Sequence, residues 1–241
     1  MSFDNFDTIK QGAENSCGAF ALAAALCNFV LVPQTQQALL LNTANLATGY
    51  NQPGHAVSNT GSPTAFAESI YVITGNLSFG IGVANYQYSE LVSNINPPSA
   101  LVYIATLFGF APNRIAVRYT NAGMEMFQAL AVTNTGTGGS LLNTEIGLLN
   151  GINNNQGMII AGPMDYENVP TAMQVQLILV NRGRHWLAIN STQLYDPGNG
   201  YVGPYVLADE GAGQLSWNYK VGEETHENGF SGIWIELRAN H

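Results

Sequence analysis

Between Ala19 and Leu26 the chain carries eight consecutive residues without a polar side chain, Ala19-Phe20-Ala21-Leu22-Ala23-Ala24-Ala25-Leu26. Alanine and leucine stand at the top of the helix-propensity scale, so the run reads as a helix. It offers no polar face in any direction, and a helix that is apolar all round has to be buried. The rest of the chain must therefore pack this helix on both sides. With 241 residues and 46% hydrophobic composition, the chain is long enough to do so in one domain or two close-packed lobes. The helix is expected to end before Pro33, because Asn28-Phe29-Val30-Leu31-Val32 turns β-branched and aromatic.

The residues before this run, Gln11-Gly12-Ala13-Glu14-Asn15-Ser16, are polar or small, which puts Cys17 at the helix N-terminus. A helix N-terminus carries partial positive charge and unsatisfied N–H groups, and both favour a thiolate over a thiol. Gln11 lies six positions earlier, close enough for its amide to reach back beside the sulfur and donate to a developing oxyanion. The Cys17 N–H is a second donor. Gly18 leaves room for a substrate to approach the thiol closely. Against this stands the plain role of cysteine as a small core hydrophobe, and Cys27, within the same apolar stretch, reads that way. What decides between the two for Cys17 is a partner base.

Gln11, five residues, then Cys17-Gly18 opening a long helix resembles the papain-like cysteine peptidases. The resemblance implies an α+β fold in which a helical lobe carries the thiol and an antiparallel sheet lobe carries the base, with the active site in the cleft between them. The pattern along the chain agrees with helices first and strands second. Gln34 to Thr48 reads as a second helix, 49–55 as a loop, and Ser62-Pro63-Thr64 as the start of a third helix through Val72. Tyr88 to Val92 reads as helical, Pro97-Pro98 interrupts, and Leu101 to Leu107 is apolar and of undecided type. Arg114 to Tyr119 alternates as a strand does. Met124 to Ala131 reads as a helix, Thr133 to Gly139 as a flexible loop, and Leu141 to Asn150 as a helix stopped by Gly151.

From Gly157 onward, short apolar or alternating runs are punctuated by turns: Met158 to Ala161, Met173 to Val180, His185 to Asn190, Tyr205 to Leu207 and Gly232 to Leu237. This is sheet texture. A single papain-like domain is thus expected, mainly helical over 1–135 and mainly β-sheet over 136–241.

The base falls within that sheet. Gly183-Arg184-His185-Trp186-Leu187-Ala188 puts a histidine at the start of an apolar strand, directly after a turn. Eleven residues later comes Asp196, in Tyr195-Asp196-Pro197-Gly198. Two antiparallel strands joined by the Asn190-to-Gln193 turn bring Asp196 back toward His185, where a carboxylate fixes the imidazole tautomer and stabilises the imidazolium. Aspartate in this place resembles the bacterial branch of the superfamily, which includes the bacteriocin leader (double-glycine) peptidases and related effector proteases. Trp186 is assigned with Gly18 to the substrate side. Other candidates are weaker. His226 lies in an acidic stretch with Glu223 and Glu227 that reads as a solvated face, His55 follows a Pro-Gly turn, and Asp209-Glu210 is an alternative carboxylate for His185 without local geometry to support it. Trp217 and Trp234 read as packing residues. No spacing supports zinc, and neither a metal nor a cofactor is expected.

A net charge of −9 with only seven basic residues excludes the phosphate-neutralising stripe of a nucleic-acid binder and disfavours an anionic membrane surface. The N-terminal residues lack a signal-peptide pattern, and Cys17 and Cys27 on one helix lie too far apart to bridge. The expected setting is cytoplasmic, or secreted without a cleavable signal. The expected partner is a peptide or protein substrate, cleaved through a Cys17 thioester. A deamidase, a cell-wall amidase or a transglutaminase would use the same residues, and a non-catalytic binding module of the same fold would keep the cleft alone.

Overall fold

A computed structural model describes residues 2–38, 55–75, 77–79, 86–88, 96–135, 141–166, 169–209, 211 and 214–239. Helix α1 runs Cys17–Asn28, and every residue from Ala19 to Leu26 is at most 1% exposed. The apolar run is thus buried on all sides. Burial of each of its large side chains, Phe20, Leu22 and Leu26, contributes about 1.5–3 kcal/mol. The helix stops where Phe29 caps it and Val30 turns left-handed at φ +53, within the β-branched and aromatic stretch that marked its end in the sequence.

Strand β1 (Thr35–Ala38) pairs antiparallel with β2 (His55–Ser58). The helix expected from Gln34 is therefore a strand at its first residues, and the remainder, 39–54, lies outside the described residues. Glutamine and threonine carry little packing information of their own, and the cross-strand partner decides. Helix α2 (Pro63–Thr74) begins as expected, with Ser62 Oγ accepting from Ala65 N at 3.2 Å and proline at the first helical position. Strands β3 (Leu77–Phe79) and β4 (Tyr86–Tyr88) form a hairpin, so Tyr88 ends a strand; the rest of the helix expected there lies outside the described residues. Pro98 does not interrupt but starts helix α3 (Pro98–Leu107), because a missing N–H is harmless at N1.

Strand β5 is Ile115–Tyr119, followed by helix α4 (Asn121–Thr135) and helix α5 (Leu141–Asn153). Helix α4 runs two residues past the expected start of a loop at Thr133. Gly151 does not stop α5; Asn154 and Asn155, left-handed at φ +41 and +60, follow its last turn.

Strands β6 (Ile159–Ala161), β7 (Gln174–Val180), β8 (His185–Ile189), β9 (Leu194–Asp196), β10 (Tyr201–Gly203), β11 (Val206–Asp209), β12 (Leu215–Val221) and β13 (Glu224–Arg238) come next in the chain. They join β5 in a nine-stranded sheet of order β10-β9-β8-β7-β13-β12-β11, with β5 pairing β13 and, in parallel, β6. Mixed α+β architecture is as expected. The division into two lobes is blurred, however, because β5 from the first part sits in the sheet and α5 from the second part packs with the helices.

Alternation along the strands separates two cores. Leu177, Leu179, Trp186, Ala188 and Tyr195 face α1 in the larger core, while Ile178, Val180, Leu187, Ile189 and Leu194 face Trp217 and Tyr219 of β12 in the smaller one. Strand β13 serves both. Its second half lies between β7 and β5, and its first half, offset by a bulge between Phe230 and Ile233, pairs with β12. At that bulge Gly232 is left-handed at φ +85, and a Cβ on Gly123 of α4 would lie 2.2 Å from the Gly232 carbonyl oxygen. No described helix is long and apolar enough to cross a membrane.

Candidate functional site

Cys17 is the first residue of α1 and is 4% exposed. It sits where the helix dipole and unsatisfied N–H groups favour an anion. Helix α1 packs directly on β7 and β8, so its N-terminus lies against the sheet that carries His185. His185 opens β8 after a turn in which Asn181, Arg182 and Gly183 are all left-handed, at φ +55, +59 and +79. That turn is fixed to β13: Asn181 N donates to Gly229 O at 2.7 Å, and Gly183 N donates to Ser231 Oγ at 2.8 Å.

The β8–β9 register pairs Ala188 with Tyr195. One step further, Asp196 stands opposite Leu187, on the same face as His185 and diagonal to it. The result is a 2.7 Å contact between His185 Nε2 and Asp196 Oδ1. With Nε2 taken, Nδ1 is left for the Cys17 thiol, the other side-chain hydrogen-bond partner of this imidazole. The Cys17 thiol and the Asp196 carboxylate thus both act on this one imidazole.

Burial alone would lower the His185 pKa. The hydrogen bond to Asp196, the hydrogen bond to Cys17 and the charges of both outweigh it, and the imidazole is raised from 6.5 to about 10. For Asp196 burial pushes upward, but the hydrogen bond and charge of His185, the Tyr219 hydroxyl and the Gly198 N–H hold the carboxyl below its ordinary value. Those two further donors stand at 2.6 Å, Tyr219 Oη to Oδ2, and 2.7 Å, Gly198 N to Oδ1. A buried carboxylate with its lone pairs so occupied is a fixed anion.

The backbone of Gln11 is brought to the loop that follows Asp196. Its N–H donates to Pro197 O at 2.8 Å, while Thr8 N donates to Gly200 O and Tyr195 Oη donates to Ile9 O, so 8–11 runs along the loop after Asp196. Gln11 Oε1 is buried and has no hydrogen-bond partner among the described residues.

Gly18 and Trp186 turn inward. A Cβ at position 18 would lie 2.4 Å from Asn96 Cβ and 3.0 Å from Trp186 Cδ1. Trp186 is 3% exposed, and its Nε1 donates to Asn96 O at 3.1 Å. The glycine is therefore needed for close packing of α1 on β8 and on Asn96, and the indole anchors the residue next to His185 from inside the core. Asn96 is itself held: Thr74 Oγ1 donates to its Oδ1 at 2.7 Å, and its Nδ2 donates to Asn15 O.

Three participants were not singled out from the sequence: Tyr219, Gly198 and Asn96. Tyr219 reaches Asp196 across 23 residues from another strand, and Asn96 reaches Asn15 across 81. No local pattern encodes either. Gly198 did carry a signal, since an aspartate with a glycine two residues later is an Asx-type turn, in which the carboxylate accepts the glycine N–H.

The remaining candidates fall elsewhere. Asp209 Oδ1 accepts from Gly211 N at 2.9 Å in an exposed turn, and Glu210 lies outside the described residues. His55 begins β2. His226 lies on β13, stacked on Tyr219 with ring centroids 4.9 Å apart. Cys27 is half-buried in the core, and burial pushes its thiol up to about 11. Comparison with family models, with curated proteins and with solved structures gives no match to this chain.

Proposed function

We propose that this chain is a papain-like cysteine peptidase in which Cys17 is the nucleophile, His185 the general base and acid, and Asp196 the residue that orients the imidazole. The observation that carries the reading is the 2.7 Å contact of His185 with the buried Asp196, on an imidazole that the Cys17 thiol also acts on. In this reading His185 takes the proton from the Cys17 sulfur and leaves a thiolate beside an imidazolium.

The thiolate adds to the carbonyl carbon of a peptide bond. The oxygen so charged is held by the Gln11 side-chain amide and the Cys17 N–H at the mouth of α1. His185 then gives its proton to the departing amine, the C–N bond breaks, and a Cys17 thioester remains. Water attacks that thioester as His185 takes a proton from it, and the carboxylic acid leaves as the thiol is restored. Asp196 stays ionised throughout, fixed by Tyr219 and Gly198. Gly18 and Trp186 serve by packing the two elements together at this point.

The helical half and sheet half meeting at Cys17 and His185 support a papain-like arrangement, and peptide hydrolysis is preferred over deamidation or amide transfer because of the resemblance in the motifs. The test is turnover of a peptide library by the protein and by Cys17→Ala. Loss of cleavage with an unchanged melting curve supports the assignment; full cleavage by Cys17→Ala refutes it. Release of ammonia with no cut peptide would instead establish the deamidase.

A further inference from the structure

The thiol stands on α1 and the imidazole on β8, so the pairing of Cys17 with His185 depends on how one element sits against the other. Apolar packing alone sets that loosely. It is non-directional, and between Ala19 and Leu26 the helix has no polar side chain to fix its place along the sheet. Groups that act on one another chemically have to be held within about 0.5 Å.

Directional contacts at the mouth of α1 supply what packing lacks. The turn before the helix holds Asn15 left-handed at φ +67, and side chains capture three successive carbonyls of that turn: Ser16 Oγ donates to Ala13 O at 2.8 Å, Tyr71 Oη to Glu14 O at 2.9 Å, and Asn96 Nδ2 to Asn15 O. Asn96 also reaches β8. Its backbone oxygen accepts from Trp186 Nε1 at 3.1 Å, and Trp186 is the residue after His185. A carbonyl can only accept, so Asn15 O demands the Asn96 NH₂, and the Thr74 hydroxyl at the end of α2 then donates to Asn96 Oδ1 at 2.7 Å. Asn96, Thr74 and Trp186 are all buried, where such bonds are stronger than in water. Because a Cβ on Gly18 would lie 2.4 Å from Asn96 Cβ, the asparagine also rests directly against the backbone beside Cys17.

We infer that Asn96 is a positioning residue for the Cys17–His185 pair: its amide holds Asn15, two residues before the thiol, and its carbonyl oxygen holds Trp186, one residue after the base. It acts through those neighbours and not on the reacting atoms. This role rests on the peptidase reading of Cys17 and His185.

The test is Asn96→Leu, which keeps the branched shape and removes both amide hydrogen bonds, beside Thr74→Val, which removes only the donor that holds the amide. Two quantities are read at a temperature where melting curves show each variant folded: the rate of Cys17 labelling by iodoacetamide relative to Cys27, and the NMR titration midpoint of His185. Asn96→Leu is expected to slow Cys17 at least about tenfold, with Cys27 unchanged, and to move the His185 midpoint down from about 10 as the thiol ceases to act on it. Thr74→Val should do the same to a smaller degree, and the double variant no more than Asn96→Leu alone, since both act through one amide. A lower melting temperature with the Cys17 rate and the His185 midpoint unmoved would make Asn96 purely structural and overturn its positioning role, as would an equal change at Cys27. A Cys17 no more reactive than Cys27 in the unaltered protein would instead remove the peptidase reading, and this role with it.

Discussion

His185 is held between sulfur and carboxylate, so its titration reports on both neighbours. By NMR the imidazole is expected to titrate far above 6.5, toward about 10. Cys17→Ala removes a hydrogen bond and a charge that raise it, Asp196→Asn removes a second charge, and each should bring the midpoint back toward the ordinary value. An imidazole that titrates near 6.5 in the unaltered protein would refute this electrostatic picture. If the peptidase proposal holds, His185→Ala should cost about 10²–10⁴ in turnover, and Asp196→Asn less, because the base would survive the loss of its orienter. Tyr219→Phe takes one donor from the buried Asp196 carboxylate and should lower stability by about 1.5–3 kcal/mol in denaturant unfolding. Gly18→Ala must push Asn96 or Trp186 aside, for about 1–3 kcal/mol. The principal members of this constellation were legible as local patterns: a glutamine and a Cys-Gly before an apolar helix, a histidine at a strand start, an aspartate before a turn. Asn96 and Tyr219 were not, because only the assembled fold brings them in.

At the scale of elements, α1 and β13 do the positioning. Leu22 in the middle of α1 is fully buried, and Leu22→Ala should cost about 2–5 kcal/mol of unfolding free energy, as a cavity in the core does. The bulge of β13 at Gly232 receives Gly123 of α4 and, through Ser231 and Gly229, fixes the turn that aims His185. Gly123→Ala is therefore expected both to destabilise and to reduce any peptidase turnover, although it is none of Cys17, His185 and Asp196; a stable, fully active variant would contradict that coupling. Elements with strong intrinsic signals were readable from sequence, as α1, α2 and β7 are. β1 and the start of α3 were not. A Thr-Gln-Gln strand is set by its partner, and a proline such as Pro98 starts or stops a helix according to the residues on its C-terminal side.

For the whole molecule, the same two ionised groups shape stability against pH. The folded pKa of His185 lies above 6.5, so its contribution is complete below 6.5 and is lost as pH rises through about 10. The folded pKa of Asp196 lies below 3.8, so its contribution is complete above 3.8 and is lost as pH falls through the folded value. Both act fully between 3.8 and 6.5, and the stability lost in His185→Gln should shrink on the alkaline side of that window when melting is monitored against pH. The sheet and helices share one large core across the expected lobe boundary, so unfolding should be a single transition. The central claim, that Cys17 is an activated thiol and not a packed one, is tested most directly by competition between the two cysteines for iodoacetamide at neutral pH, read by mass spectrometry. Exposure favours Cys27, since Cys17 is only 4% accessible and Cys27 is half-buried. Activation favours Cys17, and the expected result is labelling of Cys17 at least about 10²-fold faster, with the advantage abolished in His185→Ala. Equal rates, or faster labelling of Cys27, would contradict it.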